Sequence, residues 1–172
     1  EHGVPFIVQE LLEGRDLETV LIEEGKFAIE WALRFTEQIL EGLASAHAVG
    51  VIHRDMKPAN VFVTRASDGS PWLKLVDFGI SKAAALGTES QGLTRTGAVI
   101  GTPSYMSPEQ FMGGPLDART DQFSFCVALY EALYKKFPAP PNGAPSNTLP
   151  ALASALAAPP ARDDIPGRVS DA

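Results

Sequence analysis

The sequence predicts an α+β fold, mainly α-helical with short β-hairpins. Three observations carry that reading. Residues 28–48 place Ala32, Phe35, Ile39, Leu43 and Ala46 at spacings of three and four, the apolar stripe of an amphipathic helix. Residues 120–133 form a second helical run that is apolar nearly all round. Between them, the short runs 61–63 and 73–76 flank the turn-forming Ser67-Asp68-Gly69-Ser70-Pro71, the pattern of a hairpin.

Taken in order, residues 5–12 read as a buried strand running into a turn at Glu13-Gly14. Asp16 suits the N-cap of a helix over 17–22, because its carboxylate can accept from the free amides of the first turn. Gly25 breaks that helix. The long helix 28–48 then stops at Gly50. Val51-Ile52 and residues 61–63 read as short strands on either side of a polar octapeptide, and 73–76 as a strand of period two. Residues 81–101 are rich in Gly, Thr, Ser and Ala and predict a long, mobile loop of the functional kind. The helix over 120–133 is expected to be capped by Thr120 or Asp121 and to bury Cys126 in its apolar surroundings. Beyond Lys136 the chain is Pro/Ala-rich, and 148–158 read equally as a short helix or as linker.

Composition excludes several classes of function. With 45% hydrophobic and 20% charged residues, the chain of 172 residues is an ordinary globular domain and not a disordered one. A net charge of −7 without any Lys/Arg cluster argues against nucleic acid as a partner. The single cysteine leaves no internal disulfide and fits a reducing compartment. No signal peptide is visible, and no apolar run approaches the roughly 20 residues that cross a bilayer. The expectation is a cytoplasmic chain with no membrane segment of its own, with an anchor elsewhere in a longer parent left open.

The chemistry concentrates in His53-Arg54-Asp55-Met56-Lys57-Pro58-Ala59-Asn60 and, after the hairpin, Asp77-Phe78-Gly79. Phosphoryl transfer to a hydroxyl needs the hydroxyl oriented in line and the phosphate charge neutralised. Asp55 can accept the hydroxyl's hydrogen bond and take its proton late. Lys57, on the same side of an extended loop, can neutralise the transferring phosphate. Asn60 and Asp77 supply hard oxygen ligands of the kind magnesium accepts. Singly, each has an ordinary use as a turn, cap or solvated charge. Together and in this order they point to a phosphotransferase.

These residues resemble the protein kinase superfamily, and in particular the eukaryotic-like Ser/Thr kinases of bacteria. His53-Arg54-Asp55 with Asn60 is similar to the family's catalytic loop, Asp77-Phe78-Gly79 to its magnesium motif, and Ser107-Pro108-Glu109 to its Ala-Pro-Glu position. Lys57 is the form of Ser/Thr and not Tyr kinases, and Gly101-Thr102-Pro103-Ser104-Tyr105-Met106-Ser107-Pro108-Glu109-Gln110 is similar to the bacterial branch. The likeness covers residues 5–133 and only weakly the tail. It implies a protein-kinase-like, mainly helical C-terminal lobe, with ATP and magnesium (or manganese) as cofactors and protein Ser/Thr hydroxyls as substrates.

The resemblance assigns further roles. Gln9 falls at the gatekeeper position, and Glu10 and Leu12 lie on the hinge that faces the adenine edge. Asp16 is near the ribose contact, with the helix cap an equal reading, and Phe62 is on the apolar floor beneath the base. Thr102 sits where relatives bond the catalytic Asp and Lys, and Asp121 where a buried carboxylate braces the catalytic-loop backbone. His53, Phe78, Gly79 and Glu109 are structural supports. Arg54 is placed to clamp a phosphate on the long loop, with Thr94 and Thr96 as the modified positions.

No glycine-rich loop and no Val-Ala-Ile-Lys strand precede the hinge in this sequence. The expectation is a partial catalytic domain over 1–172, with the N-terminal lobe almost entirely missing and the isolated fragment inactive. Glu109 is expected to lack the arginine partner that relatives give it. The alternatives are a pseudokinase-like or truncated binding protein and, more remotely, a small-molecule phosphotransferase of the aminoglycoside or choline type. A dimer of the full-length protein is left open.

Overall fold

The computed structural model describes residues 8–24, 29–79 and 103–138. Their order is β1 (Arg15–Asp16), α1 (Leu17–Glu24), α2 (Ile29–Ala48), β2 (Val61–Arg65), β3 (Pro71–Leu75), α3 (Pro108–Met112) and α4 (Ala118–Tyr134). Short 3-10 turns at Pro58–Asn60 and Pro103–Tyr105 complete the set. Residues 81–101, with Thr94 and Thr96, lie outside the described residues, as do Thr102 and the segment 148–158.

The long helix forms where its periodicity places it. Ala32, Phe35, Ile39 and Leu43 are buried along one face. It ends because Gly50 adopts φ 77°, a left-handed conformation that suits glycine. The Gly50 amide then donates to the His47 carbonyl at 2.9 Å and the Val51 amide to Ala46 at 3.0 Å, satisfying carbonyls that the helix end leaves open. Val51 and Ile52 are therefore not a strand: the Val51 amide is used to close the helix.

The sheet is three-stranded and antiparallel, in the order β1-β2-β3. Register pairs Val61 with Leu75 and Val63 with Leu73, so one face carries these apolar side chains into the core. The outer edge of β3 is covered by Gln38 of α2, whose Oε1 accepts from the Leu73 amide at 2.8 Å. Pro71 begins that edge strand, where its missing N–H costs no ladder bond. Leu17 and Leu21 of α1, Phe35, Ile39 and Leu43 of α2, and Phe125 of α4 close over Met56 and Val61. The octapeptide is thus pinned by its own Met56, 1% exposed, to the centre of the core.

Three expectations are corrected. Of the strand expected over 5–12, residues 5–7 lie outside the described residues and 8–12 form no strand; Val8 and Leu11 are 84% and 92% exposed, because no strand among the described residues pairs with them. Helix α4 starts two residues earlier than expected, at Ala118, because Asp117 caps it by accepting from the Arg119 amide at 2.9 Å. Thr120 and Asp121 sit buried inside it instead. That helix is also not buried all round. Its inward stripe runs through Thr120, Ser124, Val127 and Ala128, and Cys126 faces outward and is exposed. No helix among the described residues is long and apolar enough to cross a membrane.

Gly14 enters β1 at φ 150°, and a Cβ there would lie 2.1 Å from the Val63 carbonyl oxygen. Gly14→Ala is expected to destabilise the domain by more than about 1 kcal/mol, since the residue would meet both backbone and an unfavourable φ. Chemical denaturation of the full-length protein checks this through the shift of the domain's unfolding midpoint.

Candidate active site

The octapeptide is anchored from below by helix α4. Asp121, wholly buried, turns its carboxylate to the loop: Oδ2 accepts from the His53 amide and Oδ1 from the Arg54 amide, both at 2.8 Å. The same Oδ2 lies 2.7 Å from Nε2 of His47, in the last turn of α2. Arg54 is left-handed at φ 65°, unusual for a non-glycine residue. Its carbonyl accepts from Nε2 of Gln110 at 2.7 Å. Its side-chain Nε is buried with no hydrogen-bond partner among the described residues.

His53 joins this loop to Asp77-Phe78-Gly79. Its ring Nε2 is 3.0 Å from the Val76 carbonyl, which can only accept, so Nε2 carries the proton. Nδ1 is then free of hydrogen and accepts from the Asp55 amide at 3.3 Å. Burial holds the imidazole below its ordinary pKa, against the opposing pull of Asp121, so the ring is neutral at neutral pH. Its face meets Phe78 at a centroid distance of 4.5 Å. The Gly79 amide returns to the His53 carbonyl at 2.8 Å, an approach so close that a Cβ on Gly79 would lie 3.0 Å from that oxygen.

Above this frame the polar groups converge. Nδ2 of Asn60 donates to the Asp55 carbonyl at 2.8 Å and to its Oδ2 at 3.2 Å. Nζ of Lys57 is 3.3 Å from that same Oδ2. Asn60 is held in turn by its carbonyl, which accepts from the Val76 amide at 3.0 Å. Asp77 follows at φ 55°, exposed to solvent. With its amide nitrogen committed to Asp55, Asn60 has Oδ1 left for a cation. The described residues hold no group of three or more His, Cys, Asp or Glu arranged for a metal. Two oxygen donors fit a magnesium ion that completes its shell with water and phosphate oxygens.

The remaining expected residues are placed less tightly. Asp16 is the N-cap of α1: Oδ1 accepts from the Thr19 amide and Oδ2 from the Thr19 hydroxyl, both at 2.8 Å. Glu10 forms an ion pair with Lys74 of β3. A cavity of about 480 Å³ opens between residues 10–13 and Thr64, Trp72 and Lys74 of the hairpin. Glu10 and Leu12 line it, but Asp55, Asn60, Phe62 and Asp77 do not. It is therefore separate from the polar cluster. Glu109 is not left unpaired: its Oε1 accepts from the buried Thr120 hydroxyl at 2.7 Å. Burial pushes that carboxyl up, but hydrogen bonds from Thr120, its own backbone and Ser107 outweigh it and bring it below the usual range.

His47 and Gln110 have no role in the sequence reading. A signal existed for each. His47 continues the i, i+4 row Phe35-Ile39-Leu43, so a polar ring falls on the buried face of α2. Ser107-Pro108-Glu109-Gln110 is a capping-box pattern. Neither signal names the distant partner, which depends on how α2, α3 and α4 pack.

A family model described as protein kinase domain matches residues 2–158. The chain is 41% identical over 133 residues to the serine/threonine-protein kinase pkn3 of Myxococcus xanthus, covering 77% of this chain and 24% of that protein. It is 40% identical over 136 residues to the probable serine/threonine-protein kinase PknB of Corynebacterium glutamicum, covering 79% of this chain and 20% of that one. It thus spans about a quarter or less of these relatives. The crystal structure of the Mycobacterium tuberculosis PknI kinase domain superposes with a TM-score of 0.58 at 23% identity, over 76% of this chain and 44% of that one.

The neutral, buried His53 has a pH consequence. Because folding holds its pKa down, the unfolded chain binds the extra proton first, so stability is lost as pH falls through the ordinary histidine value of about 6.5. An NMR titration of the His53 ring is expected to give a midpoint below that value. A midpoint at or above it contradicts the assignment.

Proposed function

This chain belongs to the protein kinase family, and we propose that it carries the catalytic loop of an ATP- and magnesium-dependent (or manganese-dependent) Ser/Thr protein kinase. The observation that carries the reading is the convergence of Asn60 Nδ2 and Lys57 Nζ on one carboxylate oxygen of Asp55. A base, a cation and a metal-ligand amide within one hydrogen-bonded cluster is what phosphoryl transfer to a hydroxyl requires.

Asp55 orients a Ser or Thr hydroxyl of the protein substrate and accepts its proton as the new oxygen–phosphorus bond forms and the bond from the γ-phosphorus to the departing ADP breaks. Lys57 neutralises charge on the transferring group. Asn60 through Oδ1 and Asp77 through its carboxylate hold the divalent ion. ATP supplies the transferable phosphoryl group, and the ion supplies counter-charge on its phosphates. Glu10, Leu12 and Phe62 are assigned to the base, whereas the Asp16 carboxylate is engaged in capping α1 and needs to release Thr19 to reach a ribose. Nothing in the described residues favours a binding-only protein or a small-molecule phosphotransferase.

Asp55→Asn in a full-length enzyme containing this chain is expected to lower kcat by roughly 10²–10⁴-fold, the range for loss of a general base. Near-normal turnover would remove Asp55 from that role. The Arg54 Nε, buried and without a hydrogen-bond partner among the described residues, also supports Arg54 as the clamp for a phosphate on Thr94 or Thr96. Phosphopeptide mapping of the active protein is expected to find one of these threonines modified, and to find neither if the clamp is wrong.

A further inference from the structure

Gln110 is the N3 residue of α3, and its side chain works in two directions. Oε1 accepts from the Ser107 amide at 3.1 Å, while the Ser107 hydroxyl accepts from the Gln110 amide at 3.4 Å. That reciprocal pair is a capping box, which satisfies amides at the start of the helix. The other end of the amide, Nε2, leaves the helix and donates to the Arg54 carbonyl at 2.7 Å. Glutamate is the other common residue at this place in a capping box, and it caps equally well. Only an amide can cap with one end and donate with the other.

The acceptor it reaches is significant. Arg54 is held at φ 65°, a conformation that costs a non-glycine residue free energy and persists only when its surroundings impose it. Its amide is fixed by Asp121 from α4 and its carbonyl by Gln110 from α3. That carbonyl belongs to the peptide unit that leads directly into Asp55. Release of the carbonyl leaves this peptide held only at its other end, by the long bond from the Asp55 amide to His53 Nδ1 at 3.3 Å, and any rotation it then makes carries the Asp55 backbone with it.

We propose that Gln110 is a positioning residue for catalysis, linking helix α3 to the Arg54–Asp55 peptide and so setting where the Asp55 carboxylate stands. The inference rests on the kinase reading above. It makes the segment 103–112 a support for the catalytic loop as well as a neighbour of it.

The test is a pair of variants in a full-length kinase containing this chain. Gln110→Glu keeps the acceptor for the Ser107 amide but sets a carboxylate oxygen against the Arg54 carbonyl. Gln110→Met removes both bonds. For Gln110→Glu the expected result is a melting temperature lowered no more than in Gln110→Met and a kcat about tenfold lower, equivalent to about 1.4 kcal/mol in the barrier. KM for ATP and for a peptide substrate is expected to stay within about twofold, and amide hydrogen exchange at residues 53–55 to quicken. Unchanged kcat in Gln110→Glu overturns the proposal. So does a loss of kcat in both variants that only follows a loss of melting temperature. If the unmodified protein transfers no phosphate, the kinase reading falls separately. Exchange at 53–55 then decides the positioning claim: faster exchange in Gln110→Glu sustains it and unchanged exchange overturns it.

Discussion

A carboxylate taken wholly out of water is costly unless its lone pairs are met, and the site is organised around one such group. Asp121 is 0% exposed, and its two oxygens take the amides of His53 and Arg54 and the ring of His47. These partners come from the octapeptide and from the last turn of α2. The loop therefore cannot move away from α4 without stranding a buried charge. Helix α4 is itself fixed, because Phe125 and Ala132 are part of the main core and Val127 and Ala128 of a second cluster with Tyr105. The geometry of the octapeptide, the proposed catalytic loop, is in this sense a property of the core.

With its amides held from below, the loop stores its strain at two residues. Arg54 and Asp77 both have positive φ, which costs on the order of 1–3 kcal/mol for a residue with a side chain. Both are adjacent to fixed backbone. Arg54 has its amide and carbonyl each bonded to a side chain. Asp77 follows Val76, whose amide donates to Asn60 and whose carbonyl accepts from His53. Removal of a holding bond therefore has an effect larger than the bond itself, because the strained residue is then free to relax.

Much of the helical frame was legible in the sequence for a local reason. The α2 stripe, its stop at Gly50 and the Asp16 cap depend on contacts within a few residues, which spacing records. The hairpin was readable from its turn residues and its period. The octapeptide was readable because its chemistry is packed into consecutive positions. Where burial depended on a third element, reading failed. Residues 8–12 are apolar enough for a buried strand, yet no described strand pairs with them. Cys126 lies in an apolar run, but the packing of α4 turns it outward. The Glu109–Thr120, Asp121–His47 and Gln110–Arg54 contacts span 11, 74 and 56 residues, so no local pattern encodes them.

The cluster around Asp55 divides position from charge. Asn60, 6% exposed, fixes Asp55 through a neutral amide that donates to both its carbonyl and its carboxylate. Those bonds do not depend on Lys57. The lysine stands 3.3 Å from the carboxylate, beyond the 2.7–2.9 Å typical of a strong charge-assisted bond, with both side chains about one-fifth exposed. An ion pair of that length is looser than a direct charge-assisted hydrogen bond. Under the proposed function, Lys57 would turn its ammonium towards an arriving phosphate at little cost, while Asp55 keeps the orientation that Asn60 gives it. Had the lysine supplied both the position and the charge, neutralising a phosphate would release the carboxylate proposed as the base at the moment it is needed.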